Sequence, residues 1–471
     1  MYVDRLRIEN FRTYRHAEID LLHPDRTRDD LRQQFGIDVL YPNVNLILGN
    51  NGMGKSAFLK AVAISCLGPT VRDSGIFPYR FVRREPGSAD ITTEIKRQLN
   101  VPGKPITMPS TRALLKGNFL THDQDGVPRN RPLISSVRID RLGDQEVMRF
   151  LDRATSDWKS IFSDEVDAFF FVGYGASRRT ELKENVDLTL RKRRGSVRAN
   201  RVRGLFEDDT SLVPLSAWFP AFANSNKGRA KQVTNLLRRI TGEGHYSFTG
   251  VLEKGEYLFQ KGRQLMPFPA LSDGYKAFFG WVSDLLYHVC MTASPGKMLV
   301  ENRGIVLVDE IDLHLHPKWQ MEILPNLSKS LPNIQFIVTS HSPLIAGSLQ
   351  WANLIALEPA DAESTLLARK EVAIHGLDAD QVLLSPYFDL NTTRTGKRAQ
   401  RLRELRDRAR QGDQQAALQI MSELSRGAED SLLAEPLTAR SDDAPLSAPV
   451  EQTRNAVRAT RNRAKAPARK K

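Results

Sequence analysis

The sequence contains only two cysteines, Cys66 and Cys290, and no C-x-x-C pair. This count excludes a disulfide scaffold and a zinc hook, and it predicts buried free thiols in a reducing compartment. No apolar run approaches the roughly 18 to 20 residues that a membrane span needs. The first residues alternate apolar and polar side chains as a strand does, which is unlike a signal peptide. We therefore expect a cytoplasmic protein without a membrane partner.

Internal repeats are also lacking, as are heptad runs long enough for a coiled-coil arm. The 471 residues are 41% hydrophobic and 26% charged, which is typical of a globular protein of one to three domains. The formal net charge is +13, of which the segment 451–471 carries +7, so the other residues carry only +6. We expect this basic tail to be disordered, and it either touches nucleic acid loosely or improves solubility.

A glycine-rich segment after an apolar strand fits the phosphate-loop pattern G-x4-G-K-[ST]. Glycines let backbone N–H groups converge on phosphate oxygens, and the start of the following helix adds partial positive charge. We expect Lys55 to reach the terminal phosphates and the Ser56 hydroxyl to ligate Mg²⁺. The pattern therefore predicts a site for ATP and Mg²⁺, with these nucleotide contacts: Gly49, Asn50, Asn51, Gly52, Gly54, Lys55, Ser56 and Ala57.

Two later strands end in residues that suit the same chemistry. The run 304–308 is apolar and ends in Asp309 and Glu310. Asp309 is placed to hold Mg²⁺ through water, and Glu310 to polarise the attacking water. The run 334–339 leads to His341, which we expect to sense or brace the γ-phosphate. The predicted catalytic residues are Lys55, Glu310 and His341.

The tetrapeptide 271–274, Leu-Ser-Asp-Gly, opens a long helical pattern that extends to about Met291. Ser272 is a typical helix N-cap, so one interpretation is helix capping alone. The alternative is that Ser272 and the N–H groups around Gly274 bind an anion. The position, about 35 residues before the Asp-Glu strand, is that of the signature of ABC-type ATPases, and we favour this interpretation.

These motifs, in this order, resemble the ATPase heads of the RecF, SMC and OLD-like proteins, and the opening LRIENFRTY resembles their first strand. The wordings DEIDLHLHP, GYGASRR and LSDGYK resemble more narrowly the stand-alone ATPases of bacterial anti-phage systems such as Septu. The resemblance implies a head-to-tail dimer, or a higher oligomer, that sandwiches two ATP molecules. It implies that Ser272 and Gly274 complete the site of the other subunit, and that Arg12 and Thr13 lie beside the nucleotide. It also implies that Asp312 and His314 communicate between the two sites.

The sequence departs from that family at two points. Asp273 replaces the glycine of the transporter-type signature, and the usual glutamine after the central strand is missing. Residues 174–178 occupy its approximate place, so the residue that replaces the glutamine is unassigned.

The predicted fold class is α/β. We expect an ABC-type ATPase head with a mixed sheet flanked by helices, a long α-rich insertion and a helical C-terminal module. We expect the N-terminal part of the head at residues 1–70 and its C-terminal part at 271–370. The insertion, with a central strand at 167–172, is expected at 71–270, the helical module at 371–430 and the disordered basic tail at 431–471.

The predicted function is ATP binding and slow hydrolysis by a dimer that senses infection in an anti-phage system. Such a sensor would control a separate effector protein, for which we favour a nuclease. Two alternatives remain: a RecF-like DNA-repair ATPase, and an OLD-like ATPase with its own nuclease. Glu358, Asp378 and Asp380 are the candidate nuclease acids. The basic segment 191–203 is either a solvated face or a contact for DNA or RNA.

Overall fold

The computed structural model describes residues 1–84, 111–129, 131–143, 145–152, 156–162, 170–180, 197–208, 210–361, 364–388, 390 and short stretches between 404 and 419. Residues Met1–Leu390 form one compact unit and Asn391–Lys471 a second unit. In the second unit the described residues include an ion pair between Arg408 and Asp413. The predicted helical module and the basic tail lie largely outside the described residues.

The strands are β1 Tyr2–Phe11, β2 Tyr14–Asp20, β3 Val44–Leu48, β4 Arg112–Leu120, β5 Pro132–Leu142, β6 Gln145–Phe150, β7 Phe170–Tyr174, β8 Arg179–Thr180, β9 Ser211–Leu212, β10 Ser247–Glu253, β11 Glu256–Lys261, β12 Gln264–Pro267, β13 Gly304–Val308, β14 Ile334–Thr339, β15 Leu354–Pro359 and β16 Thr365–Ala368. The helices are α1 Arg28–Phe35, α2 Lys55–Leu67, α3 Ser156–Ile161, α4 Val197–Asn200, α5 Leu215–Ser225, α6 Lys227–Thr241, α7 Asp273–Thr292, α8 Pro317–Ser330, α9 Pro343–Gly347 and α10 Ala379–Leu383.

A six-stranded mixed sheet lies at the centre, in the order β16-β15-β3-β14-β13-β7. Its five strands from β15 to β7 are parallel, and β16 is antiparallel at the edge. β13 and β14 are buried on both faces and therefore have continuous apolar sequences, as parallel strands covered by helices do. The predicted α/β fold class with a mixed sheet flanked by helices is confirmed.

The two faces of this sheet pack into different hydrophobic clusters. In β13, Val306 and Val308 point to the cluster that contains α7, whereas Ile305 and Leu307 point to the cluster that contains α2. This alternation follows from the two-residue period of a strand. The hydrophobic core therefore has two layers, one on each face of the central sheet. The loops that follow the parallel strands lie between these layers, at the carboxyl ends of the strands.

Helix α2 lies between the central sheet and a second, antiparallel sheet of order β2-β1-β4-β5-β6. It is apolar on all sides and almost entirely buried, as expected for a helix covered on every face. The sequence analysis expected an α-rich insertion and did not predict β4, although Ala113, Leu115 and Phe119 alternate as inward-facing residues. The insertion therefore contributes strands to this sheet as well as the helices α5 and α6.

A three-stranded sheet, β10-β11-β12, packs beside α6 and precedes α7. The predicted central strand corresponds to β7, which begins at Phe170, while residues 163–169 lie outside the described residues. Both cysteines are buried free thiols, as predicted. Within the described part of the chain, no helix is long and apolar enough to cross a membrane.

Candidate nucleotide site

Four parallel strands bring the predicted motifs to one edge of the central sheet. From β3 across to β7 the neighbours are β3, β14, β13 and β7. Their carboxyl ends deliver, in the same order, the phosphate loop, His341, the Asp309–Glu310 pair and the segment that follows Tyr174. Ligands of open α/β sheets bind at this edge, where loops diverge from the strand ends. The tertiary structure thus brings the predicted catalytic residues to one place.

The phosphate loop is held by the turn between β1 and β2. Gly52 and Gly54 have φ angles of 80° and 102°, a conformation that favours glycine. A Cβ at Gly54 would lie 2.2 Å from the Oγ1 atom of Thr13. The Thr13 hydroxyl donates to the Met53 carbonyl at 3.1 Å, and the Tyr14 hydroxyl donates to the Gly54 carbonyl at 2.9 Å. The side chains of residues 13 and 14 therefore stabilise the conformation of the phosphate loop through hydrogen bonds to its carbonyls.

Lys55 is the first residue of α2 and is buried. Its Nζ donates to the carbonyls of Gly49 at 2.8 Å and Asn50 at 3.2 Å. Burial lowers the Lys55 pKa, and the nearby carboxylates, chiefly Asp309, partly oppose this shift. The ammonium group therefore bridges the loop and faces the acidic residues that follow β13.

The remaining phosphate-loop residues lie between β3 and the first turns of α2. Asn50, Asn51 and Gly52 are exposed at the tip of the loop, whereas Ala57 is buried in α2. Gly49 packs so closely on β15 that an added Cβ would lie 2.8 Å from the Leu357 Cβ. The exposed tip leaves its backbone N–H groups accessible for phosphate contacts.

Thr339 joins the two acidic residues after β13. Its hydroxyl donates to Asp309 Oδ1 at 2.6 Å and accepts the Glu310 N–H at 2.8 Å. Asp309 is buried, while Glu310 is half-buried with a φ of 48°. Left-handed backbone at a non-glycine residue is uncommon, and such conformations cluster at functional sites. This bridging role of Thr339 depends on the pairing of β13 with β14, which the sequence motifs do not show.

Arg178 lies in the segment 174–178, to which the sequence analysis assigned no role. Its Nη2 donates to the Glu310 carbonyl at 2.6 Å. Burial lowers the Arg178 pKa to about 10, against the opposing influence of Asp309, Asp312 and Glu310. The sequence signal for Arg178 is its position shortly after the apolar strand β7, and the pairing of β7 with β13 comes from the tertiary structure.

His341 follows β14 and is half-buried. Burial lowers its pKa from the ordinary value, and the positive charge of Lys55 lowers it further. Asp312, Glu310 and Asp309 oppose the shift. The imidazole is therefore electrostatically coupled to both halves of the predicted site.

The predicted signature residues open α7. Ser272 is the N-cap residue, is exposed, and makes no side-chain capping hydrogen bond in the described structure. The capping interpretation is therefore not supported by a capping contact. At Gly274 an added Cβ would lie 2.7 Å from the carbonyl oxygen of His314, whose own φ is 65°. The start of α7 is thus packed directly on the segment that follows the Asp-Glu pair.

Arg12 lies in the β1–β2 turn with a φ of 50°. Its backbone N–H donates to the Phe81 carbonyl at 2.8 Å, and its guanidinium lies 5.2 Å from the Phe81 ring centroid. Burial lowers the Arg12 pKa. Arg12 therefore precedes Thr13, whose hydroxyl contacts the phosphate loop.

The residues present fit a nucleoside triphosphate with Mg²⁺. A Cβ at Gly54 would collide with Thr13, so the loop keeps the glycine conformation of a phosphate cradle. Ser56 and Asp309 offer oxygen ligands, which Mg²⁺ prefers. Within the described residues, no group of three or more His, Cys, Asp or Glu side chains forms a separate metal cluster. Glu358, one of the candidate nuclease acids, pairs instead with Lys370 at 2.5 Å.

Two family models match the chain. One is described as "AAA domain, putative AbiEii toxin, Type IV TA system" and matches residues 123–347. The other is described as "AAA domain" and matches residues 5–147. Together they cover both parts of the head, including the strand ends that form the site.

Several known proteins are similar. Septu protein PtuA from Bacillus mycoides (strain KBAB4) is 25% identical over 416 residues, which are 83% of this chain and 45% of that protein. Retron Vc95 probable ATPase from Vibrio cholerae serotype O1 biovar El Tor is 22% identical over 369 residues, which are 69% of this chain and 71% of that protein. The chain thus spans less than half the length of the Septu relative.

Among solved structures, the SMC head domain from Thermotoga maritima aligns with a TM-score of 0.40 and 15% identity, over 79% of this chain and all of that one. The AAA-domain models and the ATPase-named relatives support the prediction of an ATPase.

Proposed function

We propose that this ATPase binds ATP with Mg²⁺, hydrolyses it slowly, and uses the cycle to switch a dimer between two states. The observation that carries the proposal is the arrangement at the sheet edge. The negative charges of Asp309 and Glu310 favour the charged form of Lys55, and the Thr339 hydroxyl forms hydrogen bonds with both of these acidic residues. A phosphate cradle opposite a held carboxylate pair is the arrangement that phosphoryl transfer to water requires.

Each residue then has a definite task. The loop N–H groups and Lys55 bind the phosphates, while Ser56 and Asp309 would hold Mg²⁺, which neutralises developing charge on the phosphate oxygens. Glu310 accepts a proton from the attacking water. His341, whose pKa is lowered, stays neutral near pH 7 and is able to accept or donate a hydrogen bond at the transferred group.

The dimer proposal is supported by the exposed signature. Ser272 and the first N–H groups of α7, a helix of 20 residues, make an exposed anion-binding terminus. Packing of Gly274 against His314 connects this terminus to the segment after Glu310 in the same subunit. Binding of a second subunit's ATP at α7 would therefore be transmitted to the hydrolytic residues of the first.

The biological role we propose is that of a sensor subunit in an anti-phage defence system. The support is the similarity to Septu PtuA and to the retron Vc95 probable ATPase. In this proposal the ATP-bound state controls a separate effector chain, and a nuclease is the effector class we favour. Among the described residues, the candidate nuclease acids at the end of β15 and at α10 belong to no cluster of three or more side chains that could hold a metal ion. We therefore favour a separate effector over a nuclease within this chain.

The test is the Glu310→Gln variant, which keeps the shape of the side chain but cannot accept the proton. We expect phosphate release to fall at least about 100-fold and an ATP-dependent dimer to accumulate, measured by a phosphate assay and by light scattering. Glu253→Gln, an exposed change in β10, is the matched control and should behave as the wild type. Wild-type hydrolysis by Glu310→Gln would overturn the assignment of the base.

A further inference from the structure

We propose that Arg178 takes the place of the missing glutamine as a positioning residue, fixing the backbone of Glu310 so that its carboxylate meets the attacking water. The inference rests on the proposed function, because it takes Glu310 as the base. It adds a residue, a contact and a charge that a glutamine at this place would not supply.

The first argument is that both peptide groups of Glu310 are held. On its amino side, the N–H donates to the Thr339 hydroxyl at 2.8 Å. On its carboxyl side, the carbonyl accepts from Arg178 Nη2 at 2.6 Å. The φ of 48° between these contacts is unfavourable for a glutamate and persists only where the surroundings enforce it. Arg178 is one of the two side chains that enforce it.

The second argument is that the segment carrying Arg178 is itself rigidly placed. The Gly173 N–H donates to the Arg201 carbonyl at 2.9 Å. A Cβ at Gly175 would lie 2.0 Å from the Gly204 carbonyl oxygen, so this backbone is in close contact with the chain at 204–205. Arg178 follows directly, so its guanidinium starts from a well-supported backbone.

The third argument is electrostatic. Asp309, Asp312 and Glu310 all favour the charged form of Arg178, whose Nη2 contacts the Glu310 carbonyl. Its Nη1 is buried and has no acceptor among the residues that the structure describes. Unpartnered buried donors are rare and mark sites where another group completes the contact. A permanent positive charge here also counters the mutual repulsion of the three carboxylates.

The fourth argument concerns space around the guanidinium. Arg178 lines two cavities, one of about 450 Å³ shared with Tyr174 and Asp284. The other is about 250 Å³ and is shared with Trp281 and His314. Shortening Arg178 to alanine would therefore leave a site that a small planar cation is able to enter from solvent.

The experiment is chemical rescue of Arg178→Ala. We expect kcat for ATP hydrolysis to fall about 100-fold while the Kd for ATP, measured with Glu310→Gln as the common background, changes by less than about 3-fold. Added guanidinium ion should restore a large part of the lost kcat. Urea, which has a similar planar shape and no charge, should restore much less.

Arg369→Ala is the matched control, because Arg369 is also half-buried, its pKa is also lowered to about 10, and it also donates to backbone carbonyls, those of Ala352 and Asp20. The Arg369→Ala variant should have a lower melting temperature, and added guanidinium ion should not raise its kcat. Two results would overturn the inference: wild-type kcat in Arg178→Ala, or a loss of kcat that guanidinium does not restore. In either case, an inactive Glu310→Gln variant would still support the proposed function. Full activity of Glu310→Gln would instead overturn the proposed function itself.

Discussion

The Thr339 hydroxyl donates to Asp309 Oδ1 at 2.6 Å, although Thr339 ends β14 and Asp309 follows β13. The same oxygen accepts the Glu310 N–H. One side chain therefore orients the carboxylate expected to hold Mg²⁺ and the backbone of the expected base. Any change that moves Thr339 should affect both tasks together.

Replacing Thr339 with valine keeps the shape of the side chain but removes the hydroxyl. We expect kcat to fall about 10- to 100-fold, because the Glu310 N–H loses its hydrogen-bond acceptor. Stability should fall by about 1–3 kcal/mol, since buried Asp309 loses a hydrogen-bond partner. Phosphate release and urea unfolding measure the two effects. Thr339→Ser retains the hydroxyl and should stay within a few-fold of the wild type; equal losses in both variants would contradict the assignment.

Gly274→Ala should uncouple the signature helix from the segment after Glu310. An added Cβ would lie 2.7 Å from the His314 carbonyl oxygen, so α7 or that segment must shift. Overpacking of this kind costs about 1–3 kcal/mol. We expect ATP binding to persist and ATP-dependent dimerisation to weaken, as measured by analytical ultracentrifugation. Gly228→Ala is the control, because nothing lies within 4 Å of its added Cβ and it is helical. A Gly274→Ala dimer as stable as the wild type would contradict this coupling.

Mixing two inactive variants tests whether the signature acts on the other subunit. Lys55→Ala removes the phosphate contact, and Ser272→Arg fills the exposed start of α7 without disturbing the core. In a head-to-tail dimer, random mixing places half of the chains in heterodimers, each with one intact site. We expect phosphate release to return to about a quarter of the wild-type rate. No recovery above the separate variants would contradict a site shared between subunits.

The pKa of His341 should lie below that of an ordinary histidine, because burial and the charge of Lys55 disfavour its protonated form. The native state then binds this proton less readily than the unfolded chain does. The contribution of His341 to stability is therefore fully present above about pH 6.5 and is lost as the pH falls through that value towards the native pKa.

Urea unfolding of the wild type and of His341→Gln at about pH 7.5 and about pH 5 measures this contribution. The wild type should lose more stability between the two pH values than the variant. His122 and His245, whose pKa values are also lowered, contribute equally to both proteins and cancel in the comparison. Equal losses would show that His341 titrates normally.

Much of the site was readable from the sequence because each motif is local. The phosphate loop, the Asp309–Glu310 pair and His341 each follow a short apolar strand, and the chemistry of each is carried by adjacent residues. The capping contact expected for Ser272 as a simple N-cap is not present in the described structure. β4 was missed because its alternation begins within a segment rich in proline and glycine.

The sequence by itself predicted which residues would contact phosphate and which strand carries the acids, since those patterns depend on neighbours along the chain. Only the tertiary structure decided that β7 lies beside β13 and that β14 lies on the other side. Those two placements bring Arg178 and Thr339 to opposite sides of Glu310, from 132 and 29 residues away along the chain. Strand order depends on how the two faces of the sheet bury their side chains against α2 and α7, and contacts of that range leave no local pattern to read.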